Sequence, residues 1–237
     1  MPSGEDLTFD AAAFGGRVRL FPLPNLVMFP HVLQPLHIFE PRYRALLEES
    51  LADDRLIAMA VLAPGWETDY DGRPPLRTSA CLGRIVTHQQ IEGGRYNVLL
   101  AGLKRVQIVR ELPPNKLFRE AKVNLLDDEY PAADVHRRTA KQRSLIESFE
   151  RILPNMPEVH QQLQELLGAE VSLGMLTDLV AYTLTMPLPE KCALLEELNV
   201  DRRCERLLRY LRTSAGSAAL GTETGPSPKW PPDFSKN

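Results

Sequence analysis

The sequence is poor in the residues that hold metals and disulfides. Its 237 residues include 3 cysteines and 5 histidines. Cys81, Cys192 and Cys204 are widely spaced and odd in number, which argues against a disulfide framework and indicates a reducing compartment, the cytoplasm. The histidines fall in no Cys-x-x-Cys or His-x-x-Cys grouping. We therefore expect no metal site and no cofactor.

Long apolar runs and an excess of charge of one sign are also missing. No stretch approaches the ~18 apolar residues of a membrane span, and residues 1–16 lack an apolar segment of signal-peptide length. We therefore expect no membrane partner. Net charge is −3, and a division at Tyr130 gives 15 basic and 17 acidic residues before it, against 13 and 14 from it onward. This balance disfavours nucleic acid, because phosphate binding calls for a basic excess.

Signatures of catalysis are missing as well. The sequence has no G-x-x-x-x-G-K-[ST] loop that could hold ATP phosphates. Its nearest approach to a Ser-Lys pair is Lys141 with Ser144, which lie at the charged start of a predicted helix without flanking glycines. The acidic residues at 53–54 and 127–129 end predicted elements, where carboxylates are typical of solvated turns. The sequence therefore predicts a protein that is not an enzyme.

One stretch is both apolar and rich in proline: Leu20–Arg44, LFPLPNLVMFPHVLQPLHIFEPRYR. Proline recurs there at 22, 24, 30, 35 and 41. Because proline lacks an N–H and fixes φ, it is excluded from central strands and helix interiors. The stretch therefore predicts a buried, kinked path of short strands joined by rigid turns, ending at a helix that begins at Pro41.

Up to Asp128 the pattern is mainly that of strands. The predicted strands are Arg17–Leu23, Leu56–Leu62, Cys81–Ile91, Arg95–Ala101, Leu103–Arg110 and Phe118–Leu126. A turn at residues 92–94 joins two of them, and Gly102 predicts a bulge. Lys104, Arg105 and Arg110 suit a solvent-facing strand edge or contact with an acidic partner. Together these features predict a small, partly closed β-barrel with one inserted helix.

After Asp128 the apolar period becomes helical. Apolar stripes predict helices over residues 145–153 and 159–167, a third that Ser172 opens, a short one at 190–198 and a last one that Asp201 caps. The predicted organisation is a flexible lead over 1–16, the barrel over 17–128, a helical subdomain over 129–213 and a Pro/Gly-rich tail over 214–237.

The candidate binding residues lie in two segments outside these elements. The long loop between the predicted strands Leu56–Leu62 and Cys81–Ile91 contains Trp66, Tyr70 and Arg73, and aromatic residues in a long loop are typical of a binding surface. Alternatively, Trp66 closes an open end of the barrel. The tail contains Trp230 and Phe234, which either belong to a disordered end or dock into a groove.

Three segments, in order, resemble the N-terminal substrate-binding domain of Lon proteases. They are the stretch Leu20–Arg44, the segment GRIVTHQQIEGGRYNVLLAGLKRVQIV and the helical segments TDLVA, PEKCALLEELNV and RCERLL. The resemblance covers roughly residues 17–213. It implies an α+β fold: a PUA-like β-barrel followed by a C-terminal helical bundle that recognises protein substrates. Lon proteases continue into ATPase and peptidase domains, whereas this sequence ends, so we expect a stand-alone, non-catalytic domain.

The resemblance therefore predicts a polypeptide-binding module. Its expected partners are unfolded or tagged polypeptide, bound in an apolar groove between barrel and helices, and a protease or chaperone that it serves as adaptor. An RNA-binding PUA-like module and a small-molecule-binding domain are the alternatives. The sequence indicates no oligomeric state.

Overall fold

The computed structural model describes residues 9–70, 72–152 and 171–218. Within them the chain forms six strands and five α-helices, which confirms the predicted α+β class. In chain order the elements are β1 (Arg17–Leu23), β2 (Leu33–Ile38), α1 (Pro41–Ala52), β3 (Leu56–Val61), β4 (Ser79–Ile91), β5 (Arg95–Glu111), β6 (Arg119–Leu126), α2 (Arg138–Glu150), α3 (Leu173–Thr183), α4 (Leu188–Glu196) and α5 (Val200–Ala218).

The strands form one sheet in the order β2-β5-β4-β3-β1-β6, and β6 also pairs with β5. The β1–β3 pair is parallel and the others are antiparallel. Because β6 pairs with both β1 and β5, the hydrogen-bonded pairs run from β5 through β4, β3, β1 and β6 back to β5. β2 stands outside this ring because it pairs only with the first part of β5. The PUA-like β-barrel stays a prediction.

The proline-rich stretch follows a buried path, as predicted. Val27, Met28 and Phe29 are all buried. Pro22 lies in β1 beyond Leu20, where the pairing of β1 with β6 ends, and Pro35 lies in the edge strand β2. Both prolines therefore occupy positions where a missing N–H breaks no second ladder.

Gly102 lies where the proline-rich stretch crosses β5. The two segments predicted on either side of it form one continuous strand of 17 residues instead of two, and the bulge predicted at Gly102 is confirmed. The register with β4 shifts at this point, since Lys104 pairs with Leu82 and Gly102 with Gly83. Gly102 accepts a hydrogen bond from the N–H of His31 at 2.9 Å and donates one to the Val32 carbonyl at 2.8 Å. The two backbones approach closely because Gly102 has no side chain that would stand between them.

Two apolar cores lie on the two sides of the strands. The larger joins the sheet to the helices and includes Phe29, Leu100, Leu176 and Leu207. The smaller contains Val18, Leu82 and Val106 from the strands, with Phe9 and Phe14 packed against it. The end of the predicted flexible lead therefore contacts the core.

One predicted helix lies outside the described residues, and another is longer than predicted. The predicted helix over 159–167 lies outside the described residues. The last helix continues to Ala218, past residue 213, where the helical subdomain was expected to end. In the part of the chain that the structure describes, no helix combines the length and apolar character that crossing a membrane takes.

The backbone crossing at Gly102 gives a prediction about stability. A Cβ placed there would lie 2.1 Å from the Phe29 carbonyl oxygen and 3.1 Å from the Pro30 Cα. Gly102→Ala should therefore lower the free energy of unfolding by about 2 kcal/mol, because backbone has to move. Urea denaturation measures the change.

Gly15→Ala is the matched control, since a Cβ at Gly15 would meet no atom within 4 Å. Its effect should stay within about 0.5 kcal/mol. Equal stabilities for the two variants would contradict the account of the crossing.

Candidate functional site

The aromatic loop after β3 is held against the start of α1. The Trp66 and Tyr70 rings meet edge to face with centroids 5.7 Å apart. The Tyr70 hydroxyl donates to Glu40 Oε1 at 3.2 Å, and the Arg42 guanidinium lies 4.8 Å from both the Tyr70 and Tyr43 rings. Tyr70 is therefore a packing residue of the loop, and Trp66 stays partly exposed.

Arg73 secures the other end of this loop. Its Nη2 donates to Glu111 Oε2 at 3.0 Å. Arg119 also binds Glu111, through Nε at 2.8 Å, and donates from Nη1 to the Pro74 carbonyl at 2.8 Å. Arg73 thus ties the loop to the end of β5. The other two predicted binding residues, Trp230 and Phe234, lie outside the described residues.

Four charged side chains form a buried cluster between sheet and helices. We call Arg105 of β5, Asp128, Asp178 of α3 and Arg203 of α5 the Arg–Asp cluster. Arg105 is 3% exposed, and Asp178 and Arg203 are 0% exposed. Two cations and two anions balance, which is the condition under which charges can be buried.

Each guanidinium in the cluster is held by side chains and by backbone carbonyls. Arg105 donates to both oxygens of Asp178, with Nη1 at 3.1 Å from Oδ2, and from Nε to the Leu195 carbonyl at 3.0 Å. Arg203 donates from Nη1 and Nη2 to Asp128 at 2.9 and 2.7 Å, and from Nε to the Thr177 hydroxyl at 2.7 Å. The cluster thus ties β5, the segment after β6, and helices α3 and α5 together.

Sequence reasoning placed two members of this cluster wrongly. Arg105 was expected on a solvent-facing edge or against an acidic partner, and Asp128 in a solvated turn. The bulge near Gly102 alters the register of β5, and the acids that pair with Arg105 belong to the same chain. A usable signal was present in the helices, because Asp178 and Arg203 interrupt apolar stripes.

The Asp128 carboxylate is stabilised by its partners. Burial by itself raises its pKa, but the hydrogen bonds and charge of Arg203, together with the charge of Arg105, outweigh burial and hold the pKa of Asp128 below its usual value. The carboxylate therefore stays ionised and accepts from both guanidiniums.

The opening beside the Arg–Asp cluster is a polar cleft. It has a volume of about 280 Å³, and its lining includes His31, Lys104, Asp127, Tyr130 and Ser172. Lys104 and Asp127 form an ion pair on its rim. This cleft is therefore not the apolar groove that was expected between barrel and helices, and that groove stays a prediction.

A larger groove lies on the sheet, on the side of β2, β5 and β4 that faces away from the larger core. We call this surface the outer face; its groove has a volume of about 700 Å³. The strand register aligns its side chains in rows across the three strands: Pro35, Leu99 and Thr87 form one row, and His37, Asn97 and Gln89 form the next.

The outer face is amphiphilic because the alternate residues of these strands point into the core. Leu36, Val98 and Leu100 are buried on the inner side. Leu33, at the end of the outer face, is 48% exposed. His37 Nδ1 donates to Asn97 Oδ1 at 2.9 Å. The surface thus combines apolar contacts with amide and imidazole groups, a composition that suits a ligand with an exposed peptide backbone.

Thiol and metal chemistry gain no support from the geometry. Within the ranges described, no three His, Cys, Asp or Glu side chains are grouped so that they could hold a metal ion. The three cysteines are buried and unpaired, and burial raises the pKa of Cys204 to about 12. Such thiols are protonated at neutral pH and unreactive.

Comparison with known proteins identifies the family. Residues 17–213 match the family model described as the ATP-dependent protease La (LON) substrate-binding domain. The chain therefore belongs to the Lon substrate-binding domain family.

Curated relatives include two bacterial proteases. The Lon protease of Heliobacterium modesticaldum and Lon protease 2 of Myxococcus xanthus are each 28% identical over 192 residues, covering 81% of this chain and 23% of the relative. The chain thus spans about a quarter of the length of these relatives.

Solved structures agree on the fold. The N-terminal domain of a Mycobacterium avium complex Lon protease has a TM-score of 0.65 at 16% identity, with 83% of this chain and 98% of that one covered. A Lon N-terminal domain protein from Xanthomonas campestris has a TM-score of 0.58 at 21% identity, with 82% and 98% covered.

The Arg–Asp cluster gives a prediction about a single buried charge. Asp178→Asn removes the anion that faces Arg105 and should lower the free energy of unfolding by about 3–5 kcal/mol, because a buried guanidinium loses its counter-charge. Chemical denaturation measures the loss. Asp127→Asn is the control; since Asp127 is 80% exposed in its pair with Lys104, the change should be at most about 1 kcal/mol.

The lowered pKa of Asp128 gives a prediction about pH. A carboxylate whose pKa is lower in the folded than in the unfolded chain stabilises the fold above its unfolded pKa of about 4. That stability is lost as pH falls through the folded pKa. Unfolding measured from neutral to acidic pH should therefore show a steeper loss of stability for the natural chain than for Asp128→Asn, and parallel curves would contradict the assignment.

Proposed function

We propose that this chain recognises unfolded or tagged polypeptide and binds it on the outer face. Membership of the Lon substrate-binding domain family supports the substrate class. The observation that carries the location is the groove across β2, β5 and β4, which combines Pro35 and Leu99 with the polar side chains of Gln89 and Asn97. An unfolded chain exposes apolar side chains, which can pack on Pro35 and Leu99. It also exposes unpaired peptide groups, which can form hydrogen bonds with the amides of Gln89 and Asn97.

The dimensions of the outer face suit a short extended segment. Neighbouring rows are two residues apart along β5. Because Leu33 pairs with Ala101, its row and the row of Arg95 are three spacings apart. At about 6.7 Å per row this is ~20 Å, the length of about six extended residues. Pro35 lacks an N–H, so the edge of β2 is a poor template for an added strand. Recognition would thus rest on side chains of the face and tolerate many sequences.

The wider role that we propose is that of a non-catalytic adaptor for a protease or chaperone. The closed series of strand pairings supports a PUA-like barrel as its scaffold. The buried, unpaired cysteines support a place in the reducing cytoplasm.

The aromatic loop is proposed as a second contact surface. Tyr70 and Arg73 are engaged within the chain, so their part would be to hold the loop in place. The partly exposed Trp66 would touch the ligand. Trp230 and Phe234 remain predicted contacts of the same kind.

Leu99→Asp tests the location of binding. Leu99 lies at the centre of the outer face, between Pro35 and Thr87. The charge removes an apolar contact worth ~1.5 kcal/mol or more, so affinity for a fluorescently labelled, permanently unfolded protein should fall about tenfold or more. Fluorescence anisotropy gives the dissociation constant.

Val109→Asp is the matched control, since Val109 lies on the same strand, is 56% exposed and does not line the groove. It should bind like the natural chain. Equal affinity of Leu99→Asp and the natural chain would overturn the assignment to the outer face. Salt-sensitive binding of structured RNA, with no binding of unfolded protein, would favour the RNA-binding alternative.

A further inference from the structure

The outer face carries an uneven charge. Of the described residues that line its groove, Arg95 is the only one with a permanent charge, and none is a carboxylate. The other polar lining residues are neutral amides, a hydroxyl and the His37 imidazole. Glu92 is close in sequence but is not part of the lining. A ligand in the groove therefore meets one cation and no compensating anion from the wall.

The Arg95 side chain is available to a ligand. Arg95 is exposed, and its Nε donates to the Glu92 carbonyl at 3.0 Å, which fixes the base of the guanidinium. Among the described residues no carboxylate pairs with it. Arg19, Arg105 and Arg119, by contrast, each pair with at least one carboxylate. The two terminal nitrogens of Arg95 can thus donate to a carboxylate in a bidentate manner.

The position of Arg95 sets a spacing. Arg95 and Leu99 lie four residues apart on β5, so both point to the outer face and are separated by ~13 Å along the strand. In an extended ligand lying along β5, an apolar side chain over Leu99 and Pro35 places the side chain four residues away beside Arg95. The side chain three residues away points to the opposite side.

We propose that the outer face selects extended polypeptide segments in which a carboxylate lies four residues from an apolar side chain. This rests on the proposed function and adds a sequence preference to it. The apolar side chain would contact Leu99 and Pro35, and the carboxylate would accept hydrogen bonds from Arg95. A lysine at the same position would meet a like charge and be disfavoured.

Short labelled peptides test the preference directly. Each carries one central leucine in an otherwise Ser/Thr sequence, with Asp, Ser or Lys placed four residues away on both sides, so that the direction of binding does not matter. Because the pair is partly solvated, the Asp peptide should bind about threefold tighter than the Ser peptide, and the Lys peptide about threefold weaker. The preference should shrink as salt rises. An Asp placed three residues away should give a smaller gain.

Charge reversal identifies the residue responsible. Arg95→Glu should invert the order, so that the Lys peptide binds tighter than the Asp peptide. Arg110→Glu changes the same charge at an exposed position of β5 outside the groove and should leave the order intact. Circular dichroism checks that both variants are folded.

The outcomes separate this inference from the function on which it rests. If all peptides bind with equal affinity and Arg95→Glu has no effect, the preference is overturned, while binding that Leu99→Asp weakens still supports the outer face. If the Ser peptide and unfolded protein both fail to bind, the proposed function itself fails.

Discussion

The pairing of Arg105 with Asp178 is the interaction on which the arrangement of the molecule depends. It joins the long strand β5 to helix α3, and Arg203 with Asp128 extends it to α5 and to the segment after β6. Apolar packing alone would hold helices to a sheet in several similar registers. A buried guanidinium with fixed hydrogen-bond directions is satisfied in only one arrangement, so we infer that the cluster gives the larger core its unique geometry.

This junction also determines which surface is left for a ligand. The helices pack against the larger core, on the side of Leu36, Val98 and Leu100. None of the described helices lines the groove on the other side of β2, β5 and β4. The Tyr182 hydroxyl of α3 reaches the end of this side, where it donates to the Leu33 carbonyl at 3.3 Å. The outer face thus follows from strand alternation together with the place of the helices.

Local patterns in the sequence predicted the local elements well. The apolar run after residue 55 forms β3, and the Gly93–Gly94 turn has the positive φ values of 74° and 69° that glycine permits. Contacts between distant residues were beyond such reasoning. Arg105 and Asp178 are 73 residues apart, and the bulge predicted at Gly102 does not by itself show that the Arg105 side chain will face inward. The outer face was missed for the same reason, because its rows arise only when three strands are in register.

The most direct test of the account is a map of the ligand contact by NMR. Amide signals of the isotope-labelled chain are recorded while an unfolded polypeptide is added. The account predicts that the largest shifts fall on His37, Gln89, Asn97 and Leu99 across the three strands of the outer face. Shifts confined to the polar cleft at Lys104 and Tyr130, or to the loop of Trp66, with the outer face unchanged, would contradict it.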